Sequence, residues 1–90
     1  MDLSEKTIKE RISEMGDGRV QSWSVQLGED STGDSAVWIR AVLKDTQSFE
    51  FCKSLRREIH DAMRELSPER PIWPYVRFAL ASELEAEATG

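Results

Sequence analysis

Ninety residues hold one domain, and 17 Asp plus Glu against 12 Lys plus Arg leave a formal charge of -5, a balance that disfavours non-specific attachment to DNA or anionic membrane. Leu, Ile, Val and Phe together make 20 of the 90 residues, just above the roughly 20 % below which disorder is the better expectation, so a folded domain with a thin core is expected. No apolar run approaches the ~20 residues that span a bilayer, no charged-then-apolar leader follows Met1, and the single Cys52 and single His60 exclude an internal disulfide and any His-rich or Cys/His metal site, so the chain is expected to be cytoplasmic and without cofactor or metal.

The first helix is expected over Leu3 to Met15. Asp2 and Glu5 stand at a capping-box-like spacing, and Ile8, Ile12 and Met15 make one narrow apolar stripe, with Lys6, Lys9, Glu10, Arg11 and Glu14 left to water. Gly16, Asp17 and Gly18 stop this helix, because glycine accepts the positive φ that helix ends often require. From Arg19 to Leu27 the period drops to two, with Trp23, Val25 and Leu27 on one face and Ser22, Ser24 and Gln26 on the other. A polar, turn-forming stretch, Gly28 to Ser35, leads to a second strand over Ala36 to Lys44. That strand sets Val37, Ile39, Ala41 and Leu43 against Trp38, Arg40, Val42 and Lys44, and the two strands are expected to form a hairpin.

Helical spacing returns from Gln47 to Leu66, where Cys52, Leu55, Ile59, Met63 and Leu66 share a side and Thr46 or Ser48 is placed to cap. Pro68 and Pro71 end this helix by removing amide donors. A third strand is expected near Ile72 to Leu80, with Val76, Phe78 and Leu80 on one face and Trp73, Tyr75 and Arg77 on the other. Pro74 has no N–H, so this strand belongs at a sheet edge or pairs only after that residue. Residues 81–90 carry three glutamates and no base and are expected as a mobile acidic tail on a domain of residues 1–80.

The order α-β-β-α-β implies an antiparallel hairpin followed by a right-handed helical crossover to a parallel strand. The expected fold is a two-layer α+β sandwich, a three-stranded mixed sheet in order 1-2-3 with both helices on one face. It is similar to a ferredoxin-like fold lacking its first strand. The αββαβ plan also resembles, in topology, the cytosolic domain of cation diffusion facilitators, but the sequence carries no metal-ligand motif of that family.

No phosphate loop, dinucleotide fingerprint, nucleophile elbow, H-E-x-x-H or C-x-x-C is present. Cys52 and His60 stand about 12 Å apart along one helix, too far for a nucleophile and its base, and Cys52 reads as a buried, inert thiol. Lys53, Arg56, Arg57, His60 and Arg64 form a basic stripe beside an acidic one of Glu58, Asp61 and Glu65, which reads as a solvated face laced with weak pairs. Glu29, Asp30 and Asp34 do not have the spacing of an EF-hand loop.

The informative feature is the sheet face that the helices leave open. Trp38, Arg40, Val42, Trp73, Tyr75 and Arg77 fall on it, with Lys44 nearby and no acid among them. Large aromatics on a face that ordinarily meets water point to a binding surface. The leading expectation is a non-catalytic protein-protein interaction or dimerisation module, its partner a second copy or another protein, because Trp, Tyr and Arg predominate among interface hot spots. The alternative is single-stranded nucleic acid stacked on Trp38 and Tyr75, with phosphates on Arg40, Arg77 and Lys44. A third account is internal: arginines laid over the aromatics, or the tail folded across them.

Overall fold

The computed structural model describes residues 4–69 and 72–83. Helix α1 (Glu5–Ile12) starts where the Ser4 side chain accepts the Thr7 N–H at 3.2 Å; Asp2, expected as the cap, lies outside the described residues. The helix ends at Ile12 rather than Met15, and the Ser13 hydroxyl donates to the Glu10 carbonyl at 3.0 Å beside that end. Gly16, Asp17 and Gly18 all take positive φ in the turn that follows. Gly16 is doubly constrained there, because a Cβ would also sit 2.7 Å from Val20 Cγ2.

Strands β1 (Val20–Glu29) and β2 (Ser35–Leu43) form the antiparallel hairpin, with Trp23 paired to Ala41 and Val25 to Ile39. The outward-facing amide of Leu27, on the free edge of β1, donates to Glu5 Oε2 at 2.9 Å. Helix α2 (Phe49–Leu66) begins at Ser48, whose side chain accepts the Phe51 N–H at 3.1 Å. Ser48→Ala is therefore expected to cost about 1 kcal/mol, read as a lower urea midpoint. An unchanged midpoint would show that another group holds this first turn.

Strand β3 (Trp73–Leu80) runs parallel to β2, giving a mixed sheet of order β1-β2-β3. Pro74 lies opposite Val37 in this edge strand, where a missing donor is tolerated. Residues 81–83 make a helical turn, and the rest of the acidic tail lies outside the described residues.

One cluster joins Ile8 and Ile12 of α1, Leu55, Ile59 and Met63 of α2, and Trp23, Val37, Ile39 and Ala41 of the sheet. Both helices thus cover the same face, and the fold is of the α+β class in two layers. An eight-residue helix such as α1 is not stable alone. Its isoleucines are fully buried, and at ~1.5–3 kcal/mol each they hold it on the sheet. Cys52, expected in the buried stripe, is only half-buried near the start of α2. No helix among the described residues is long and apolar enough to cross a membrane.

Candidate interaction face

Strand register lays out the open face as rows. Gln26, Trp38 and Tyr75 form one row, and Ser24, Arg40 and Arg77 the next. Gly28, Ala36 and Trp73 flank them on the hairpin-loop side, and Ser22, Val42 and Ala79 on the other. No acidic residue occupies any of these positions.

Trp38 and Tyr75 stack, with ring centroids 5.8 Å apart and planes 14° from parallel. Gly28 makes room for the indole, since a Cβ there would approach Trp38 Cζ3 to 3.0 Å. The Tyr75 hydroxyl reaches Asp30 Oδ2 at 3.5 Å. Asp30 organises the hairpin loop by accepting from the Thr32 hydroxyl at 2.6 Å and from the Thr32 and Asp34 amides at 2.9 and 3.1 Å. The Thr32 hydroxyl bond is the main reason that the Asp30 carboxyl is held below the usual carboxylate range, with the two amides and Tyr75 adding to it. No group of His, Cys, Asp and Glu that would hold a metal ion occurs among the described residues.

Arg40 and Arg77 are exposed side by side on adjacent strands, and neither forms an ion pair with a described residue. Like charges at neighbouring positions destabilise a sheet, so this pair is a local cost of folding. With Ser24, Gln26, Trp38 and Tyr75 the two arginines line a shallow hollow of about 440 Å³.

Two expected members of the face are placed differently. Val42, on the middle strand between Ser22 and Ala79, is only 6 % exposed. It therefore offers little area to a partner. Trp73 is 58 % exposed, but its ring meets His60 of α2 edge-on at 5.4 Å. As the first residue of an edge strand it has no outer neighbour, and it turns toward the helix layer. Trp38, Arg40, Tyr75 and Arg77 are the residues the fold brings together. Phe49 is 80 % exposed at the start of α2.

The basic stripe on α2 is partly engaged. Arg56 lies over the Phe78 ring at 5.5 Å, and Arg64 is 3.9 Å from Asp61. On the acidic side, Glu65 pairs with Arg11 of α1 at 3.1 Å. Burial against its surroundings, then Arg56 and Arg64, push the His60 pKa below its ordinary value, while Asp61 opposes them weakly. A base whose folded pKa is depressed binds fewer protons folded than unfolded, so stability falls as pH drops below about 6.5. His60→Gln is expected to lessen the fall in Tm between neutral pH and pH ~5. Identical pH profiles for parent and variant would show that His60 does not contribute.

No protein-family model matches this chain, and neither a curated protein nor a solved structure is significantly similar to it.

Proposed function

We propose that the protein is a non-catalytic interaction module that docks another protein surface on the open face of its sheet. The observation carrying this reading is the Trp38–Tyr75 stack beside an Arg40–Arg77 pair that has no counter-ion among the described residues, on a face neither helix covers. Trp, Tyr and Arg bury large area while keeping polar groups to pair, which makes them the commonest interface anchors. A non-catalytic role is supported by the separation of Cys52 and His60 along α2 and by the engagement of His60 with Trp73. We read the αββαβ plan as a ferredoxin-like sandwich without its first strand, acting in the cytoplasm, where a lone half-buried thiol stays reduced.

The test is molar mass by light scattering across a concentration series, for the parent and for Trp38→Ala. Concentration-dependent association that the substitution weakens supports docking on this face. Association that a folded Trp38→Ala variant retains in full overturns it. The unpaired arginines also favour a second reading, phosphates of a single nucleic-acid strand. That reading requires oligonucleotide affinity that falls steeply with salt and is lost with Arg40→Ala and Arg77→Ala.

A further inference from the structure

We infer that the occupant of the open face is the interhelical groove of a second copy of this chain, so that copies join head to tail; this rests on the interaction-module reading above. Charge selects the groove. Between α2 and the end of α1 with the turn that follows it runs a groove of about 600 Å³ whose lining includes five carboxylates, Glu14, Asp17, Glu58, Asp61 and Glu65, against one guanidinium, Arg11. Arg11 occupies Glu65, and Arg64 lies beside Asp61. Glu14, Asp17 and Glu58 have no ion partner among the described residues. Met15, Phe51, Leu55 and Ala62 supply the apolar part of the same groove. The open sheet face offers the converse, Arg40 and Arg77 beside the Trp38–Tyr75 rings with no acid in its rows.

Layering points the same way. A parallel strand pair is ordinarily buried between helices on both faces, yet the β2–β3 pair has a helix layer on one face only. A neighbour's α1 and α2 laid on the other face completes the arrangement. Two open faces packed on each other would instead bring the arginine pairs of both copies together, a like-charge juxtaposition that opposes association. A face-to-groove contact joins two different patches, so a joined pair keeps a free groove on one copy and a free face on the other, and growth continues unless the ring closes.

The experiment uses two double variants, Arg40→Glu with Arg77→Glu on the face and Glu14→Lys with Glu58→Lys on the groove, each checked for folding by circular dichroism. The parent's mass is expected to rise with concentration. Each variant alone should lose at least ~tenfold in association constant. An equimolar mixture should recover association, because the intact face of the groove variant meets the intact groove of the face variant, and the two reversed patches are again opposite in charge. A parent that stays monomeric throughout overturns the inference. So does a groove variant that associates like the parent while the face variant does not, although docking on the face then stands. If both variants associate like the parent, the interaction face itself is wrong. Should either reversal unfold the chain, Arg77→Gln and Glu58→Gln replace them, and each must weaken association.

Discussion

Trp23→Ala is expected to remove about 3–5 kcal/mol of stability. Trp23 is 8 % exposed and belongs to the cluster that joins both helices to the sheet. Its cross-strand neighbour is Ala41, whose methyl cannot expand into the space an indole leaves. The cavity therefore persists, and its cost adds to the lost transfer energy. Domains of this kind hold only ~5–15 kcal/mol in all, so the loss is a large share of the total. Urea unfolding of parent and variant measures the difference. A Trp23→Ala midpoint equal to the parent's would mean that the two sheet faces are assigned the wrong way round.

Trp38→Ala should give the opposite pattern: association weakened by at least ~2 kcal/mol, about thirtyfold in Kd, with the cooperative fold retained. Trp38 is half-buried, and on its own chain it gives up chiefly the stack with Tyr75. Such a ring pair contributes ~0.5–1.5 kcal/mol beyond area burial, which limits the loss of stability. Sedimentation or light scattering gives the first number and denaturant unfolding the second. A variant that loses several kcal/mol of stability with unchanged association would make Trp38 a structural residue.

Most of the architecture was legible because periodicity reports which side of an element is covered. The alternation through Trp23, Val25 and Leu27 and through Val37, Ile39 and Ala41 marked the helix-covered face, and the 3.6-residue spacing of Leu55, Ile59 and Met63 marked the side of α2 that meets it. Pro74 announced an edge strand through its missing donor. Periodicity does not report what lies beside a strand. Val42 follows the open-face pattern but is buried, and Trp73 follows it but turns to His60 at an edge. Helix ends were similarly underdetermined. Asp2 and Ser4 are both cap residues, and the fold uses Ser4. The groove between α1 and α2 was invisible because its carboxylates come from two segments that only tertiary packing brings together.

The bond from the Leu27 amide to Glu5 bears on colloidal behaviour. Strand β1 presents a ten-residue outer edge with no proline and no lysine, the kind of unguarded edge that recruits strands from other molecules into aggregates. Glu5 occupies one of its outward amides with a carboxylate, so an incoming strand must displace a charged acceptor to align along that edge. The guard is carried by α1, an element held to the sheet mainly by two buried isoleucines. Detachment of α1 therefore uncovers core surface and frees that edge amide in the same event.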